Sequence, residues 1–65
     1  MTPNEPQVAD TSRYSQREAA SILGIHRNTL RRYTEQRLIR VGFHKTNGRP
    51  YYTGRSIRQL WRSQL

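Results

Sequence analysis

Apolar residues recur along the chain with a spacing that changes from helical to alternating and back. Ala19, Ala20, Ile22 and Leu23 make a stripe at helical spacing. Ser15-Gln16-Arg17-Glu18 stands ahead of that stripe as a capping box, with the Ser15 hydroxyl on the Glu18 backbone N–H and the Glu18 carboxylate reaching back. A first helix is therefore predicted from this cap to about Leu23. Gly24 suits a left-handed position after its end, with apolar Ile25 just beyond.

A second helical pattern starts at once and runs from Arg27 to Gln36. Its apolar side is Leu30 and Tyr33, with Thr29 beside them. The opposite side is Arg27, Asn28, Arg31 and Arg32. Two short helices joined by a three-residue turn that contains Gly are the mark of a helix-turn-helix. Beyond Arg37 the period shortens. Leu38 to Lys45 begins apolar and then alternates, and Asn47-Gly48 predicts a two-residue type I′ turn. That turn pairs Thr46 with Arg49 and Phe43 with Tyr52 in a two-stranded hairpin. Thr53 then caps a last helix from Gly54 onward, with Ile57, Leu60 and Trp61 on one side and Arg55, Arg58 and Arg62 off it. Residues 1–12 show no apolar period. Pro3 and Pro6 stand among Thr, Asn, Glu, Gln and Asp, which predicts a disordered tail ahead of one domain over 13–65. The expected fold is mainly α with a small β-hairpin: a winged helix-turn-helix of helix, turn, helix, two-stranded wing and C-terminal helix.

Charge turns this fold prediction into a functional one. The chain carries 12 Lys+Arg against 4 Asp+Glu, a net +8, and Lys45 is the only base that is not arginine. From Arg13 onward only Glu18 and Glu35 oppose the bases, a balance of +10. A domain this basic repels itself unless it meets a polyanion, and nucleic acid is the leading partner. The basic stretches lack the apolar face of a membrane-surface helix, and no long apolar run predicts a span or a leader, so a cytoplasmic, nucleoid-associated protein is expected. Sixty-five residues without cysteine hold one core and no disulfide. His26 and His44, without Cys or clustered carboxylates, predict no metal site, and no cofactor is expected. The four scattered acids and the lack of a nucleophile–base set predict no enzyme.

Tyr14-Ser15-x-x-Glu18-Ala19-Ala20-x-x-Leu23-Gly24-Ile25-x-Arg27-Asn28-Thr29-Leu30-x-Arg32 is similar to the excisionase-type helix-turn-helix. Thr29 to Tyr33, Leu38-Ile39 and Asn47 to Thr53 resemble the N-terminal domain of MerR-type regulators. Both groups are winged helices. The resemblance implies sequence-specific binding of double-stranded DNA, with the helix 27–36 in the major groove and the wing 40–52 on the backbone or minor groove. It implies Arg27, Asn28, Arg31 and Arg32 as contacts from the helix and Arg40, Lys45 and Arg49 from around the wing, with Tyr51 or Tyr52, the latter preferred, touching phosphate. Two roles follow from it: an excisionase-like recombination directionality factor, with a recombinase or neighbouring copies as partners, or a small MerR-like transcription regulator. The chain stops at Leu65, where MerR-type regulators continue, so no small-molecule effector is expected.

Arginine pairs two donors with guanine O6 and N7, and asparagine pairs likewise with adenine. Arg27, Asn28 and Arg31 lie in the first turns, the part of a recognition helix that reaches bases. Arg32 sits at the edge of this face and suits phosphate. An arginine face can also be plain solvated surface, and Arg55, Arg58 and Arg62 divide evenly between solvation and phosphate contact. Two readings from other classes are an adaptor domain for an acidic protein and a general RNA binder. Two positions depart from the family pattern. His26 stands where a Ser or Thr cap is usual, which predicts a fraying helix start. Arg37 stands where a Gly usually ends the helix, at a strain of about 1 kcal/mol if left-handed.

Overall fold

The computed structural model describes residues 1–64. Its elements are β1 (Arg13–Ser15), α1 (Gln16–Leu23), α2 (Arg27–Glu35), β2 (Gly42–Phe43), β3 (Pro50–Thr53) and α3 (Gly54–Ser63). The winged helix-turn-helix expected from the pattern is present.

Each helix starts where a side chain can serve its free N–H groups. The Ser15 capping box closes in both directions, each bond 3.1 Å long. Thr53 Oγ1 accepts from Ser56 N at 3.2 Å. His26 does what Ser or Thr would do: its Nδ1 accepts the Asn28 N–H at 3.1 Å, so α2 begins capped rather than frayed. α1 ends on Gly24 at φ 70°, with Ile25 N donating to Ala20 O at 3.0 Å. α2 ends in the same way on Arg37 at φ 61°, with Leu38 N donating to Tyr33 O at 2.9 Å. There the left-handed residue carries a Cβ, and the strain foreseen for Arg37 is present.

The wing differs from the predicted hairpin. Its register is Gly42 opposite Tyr51 and Phe43 opposite Pro50, so neither the Thr46–Arg49 nor the Phe43–Tyr52 pairing forms. The loop is longer than two residues. His44 N donates to Arg49 O at 2.9 Å, and Gly48 N closes on His44 O at 2.7 Å with Gly48 at φ 68°. The Asn47 carboxamide takes the Arg49 N–H at 2.9 Å, so the side chain of the predicted turn residue supplies the bond that the shorter loop assigned to the Thr46 backbone. A third strand was not expected either. β1 pairs antiparallel with β3, Tyr14 opposite Tyr52, giving the sheet order β1-β3-β2.

The core joins all three helices to the sheet. Ala19, Ala20 and Leu23 come from α1, Leu30 from α2, Ile39 from the α2–β2 connection, Tyr52 from β3, and Ile57 and Leu60 from α3. Tyr14, Tyr33 and Trp61 pack on it half-buried. Burying a Leu or Ile side chain contributes about 1.5–3 kcal/mol, and the small residues of α1 let α2 approach closely. Residues 1–12 have no helix or strand, yet they lie against the domain where composition predicts a disordered tail. Thr2 N donates to Leu23 O at 2.9 Å, and Gly54 N donates to Ser12 O at 3.0 Å. These are backbone bonds, which composition does not reveal.

Candidate nucleic-acid interface

Leu30 sits fully buried and anchors α2, which turns the other side of the helix outward. Arg27, Asn28, Arg31 and Arg32 are all exposed on that side. Their one acidic neighbour in contact, among the described residues, is Glu35, 3.5 Å from Arg31 Nε. Both partners are about 70% exposed, so the pair is weak and easily exchanged for another anion.

One hydrogen bond sets the wing against this helix. Thr34 Oγ1 donates to Leu30 O at 2.9 Å and lies 2.7 Å from the Tyr52 hydroxyl. The threonine proton is already committed, so the tyrosine O–H is the donor. Tyr52 is 1% exposed. It is a core residue and positions the wing; it presents nothing to a phosphate, and its expected contact role is withdrawn. Arg40, Lys45 and Arg49 are exposed around the wing, as an anion-contacting role requires.

The structure also brings together residues that lie apart in sequence. An open groove of about 420 Å³ runs between the starts of α1 and α2 and the wing loop, and Arg13, Arg17, Arg27 and Arg49 line it with His44 and Asn47. Glu18 is at its edge, with its carboxylate turned to the Ser15 N–H. That bond, together with the Ser15 side chain, holds the Glu18 carboxyl below its ordinary pKa. Arg27 belongs both to the groove and to the outward face of α2, so the two surfaces are continuous. Helix N-termini carry partial positive charge, and an arginine in a first turn adds to it rather than offsetting it. α1 places Arg17 there and α2 places Arg27 there. The groove therefore concentrates positive potential for an anion.

Tyr51 organises the other side of the wing. Its ring lies across Gly42, where any side chain would collide with it. Arg13 stacks over the ring at 4.8 Å from the centroid, and the His44 ring lies 4.8 Å away at 41°. Arg13 and Arg17 are not among the contacts expected from the sequence, which lie on the second helix, the wing and the last helix. The available signal was a pair of arginines on either side of the Ser15 N-cap, where the helix dipole favours acids.

Among the described residues, no three His, Cys, Asp or Glu side chains group as a metal site, and no helix is long and apolar enough to cross a membrane. The model of a family described as "helix-turn-helix domain" matches residues 13–65. No curated protein and no solved structure matches the chain.

Proposed function

The chain belongs to this helix-turn-helix domain family, of the excisionase DNA-binding type, and from that premise we propose that it reads duplex DNA by sequence and catalyses no reaction. α2 enters the major groove with Arg27, Asn28 and Arg31 toward base edges and Arg32 toward phosphate. The groove beside it takes the sugar–phosphate strand through Arg13, Arg17 and Arg49, and Arg40 and Lys45 extend that contact along the wing. The observation that carries this reading is the continuity of the two surfaces at Arg27. A base-reading face and a backbone cradle share one arginine, which fixes the helix relative to the strand it lies along.

Selection of bound sequences from a random duplex pool tests it. A recurrent site, bound far more tightly than a random duplex at matched salt, is expected. Equal affinity for both, or efficient competition by single-stranded RNA, removes the reading. The role we favour is that of an excisionase-like directionality factor acting beside a recombinase or neighbouring copies of itself at the nucleoid. The match to an excisionase-type family supports it. The wing residues Asn47 to Thr53 favour a second reading, a small MerR-like transcription regulator. Bending of the selected duplex and an effect on recombination would support the first; a site between promoter elements would support the second.

A further inference from the structure

α3 carries its own arginine stripe. Arg55, Arg58 and Arg62 fall within about 60° of one another on a wheel of 100° per residue. Two of them are already paired, and both partners come from the segment 1–12. Glu5 Oε1 lies 2.8 Å from Arg62 Nη2, and the Asp10 carboxylate pairs with the Arg58 guanidinium. Arg55 is exposed and makes no ion pair among the described residues.

The acids are not what holds the segment in place. Backbone bonds pin both ends. Thr2 donates to Leu23 O and accepts from the Trp61 indole N–H, each at 2.9 Å. Toward the other end, Gly54 N and Arg55 N donate to Ser12 O and Asp10 O at 3.0 and 3.3 Å, serving the free N–H groups at the start of α3. Between the pins Pro6 is buried, and the Ala9 carbonyl lies where only Gly54 leaves room. The two carboxylates are an addition to this framework, and they sit on arginines that no other acid among the described residues pairs with. Residues 36–65 contain seven bases and no acid.

We propose that the Arg55–Arg58–Arg62 edge of α3 is a second binding surface for the duplex backbone, covered in cis by Glu5 and Asp10. The partner is polyanionic because the covering groups are anions. It is a duplex because the fold already presents α2 to one. With the acids in place the two arginines stay paired while a duplex lies on the α2 face; without the acids they are free to take a backbone strand. The segment thereby keeps sequence-independent attraction low. The proposal rests on the reading that the chain binds duplex DNA and goes beyond its base-reading part.

The test is salt-dependent binding of the full chain to a random-sequence duplex. Glu5→Gln with Asp10→Asn removes the cover while leaving the backbone pins. It is expected to bind about tenfold more tightly at low salt and to steepen the log K against log salt slope by roughly two. Arg58→Gln with Arg62→Gln in the original chain is expected to leave that slope unchanged, and added to the uncovered variant it should cancel the gain. An uncovered variant that is folded by circular dichroism but has an unchanged slope overturns the proposal. A gain for polyglutamate without one for duplex also overturns it and points to an acidic protein instead. If the uncovered variant does not fold, the arginine variant decides alone: an unchanged slope supports the cover, and a flatter one shows that these arginines bind DNA with the segment in place. Base reading is scored separately on the selected site, so either idea can fail without the other.

Discussion

α2 and α3 are both short helices with three arginines on the side away from the core, and the fold treats them differently. On α2 the arginines are exposed, and their one contacting acid among the described residues is Glu35, an i,i+4 neighbour on the same helix. On α3 two arginines are matched by acids 48 and 57 residues away in sequence. The number of outward arginines does not distinguish them. What distinguishes them is the company each keeps: the wing loop and the α1 start add arginines beside α2, whereas the segment 1–12 adds acids beside α3. A basic stripe therefore acquires its role from the elements that frame it.

Single substitutions should separate the two helices most sharply on a selected duplex. Arg31→Ala is expected to lose about 1–3 kcal/mol of discrimination, roughly 5- to 150-fold, while Arg62→Ala leaves it unchanged. Competition binding of matched and single-mismatch duplexes measures this, and equal losses would erase the distinction. Next in size is the backbone cradle. Arg13→Ala and Arg17→Ala should each weaken every duplex by a similar factor and flatten the salt slope by about one, with the preferred site unaltered. A change of preferred site would place them on bases instead.

Stability offers two finer probes of how α2 is set. Arg37→Gly removes the side chain from a left-handed residue and should stabilise the domain by about 1 kcal/mol in urea melts, with the base preference intact. A loss of stability would show the arginine side chain making a contact worth more than the strain. The smallest effect belongs to Glu18, whose carboxyl is held below its ordinary pKa by the Ser15 backbone N–H and then by the Ser15 side chain. A depressed carboxylate contributes stability above its unfolded value, near ~4.3, and that stability is lost as pH falls through the lower folded value. Glu18→Gln keeps a capping partner, so its melting temperature should stay close to the original at neutral pH and fall less on acidification below pH ~4. Parallel acid limbs for the two proteins would mean that the box contributes nothing through its charge.

Much of this framework was legible in the residues themselves. Ser15 with Glu18, Gly24 and Thr53 mark helix boundaries through chemistry local to the backbone, and the Leu30 side of α2 follows from helical period alone. The wing register was not legible in the same way. Asn47-Gly48 suits a two-residue turn, but the Asn47 carboxamide holds the Arg49 N–H and the loop widens. Tyr52 then faces Tyr14 of a strand whose three residues are too few to show a period. The same limit hid half of the site. Arg13 and Arg17 join Arg27 and Arg49 only when β1 and the wing loop are brought side by side. The acids on α3 act across a distance that no local pattern reveals.

The central claim is that duplex DNA meets the molecule on the α2 face and the groove beside it. Backbone amide shifts of the isotope-labelled chain, followed by NMR while the selected duplex is added at about 0.15 M salt, test it most directly. Shifts concentrated over residues 13–17, 27–32 and 44–49, with residues 55–62 nearly still, are the predicted result. Shifts centred on α3, with α2 unmoved, would contradict it.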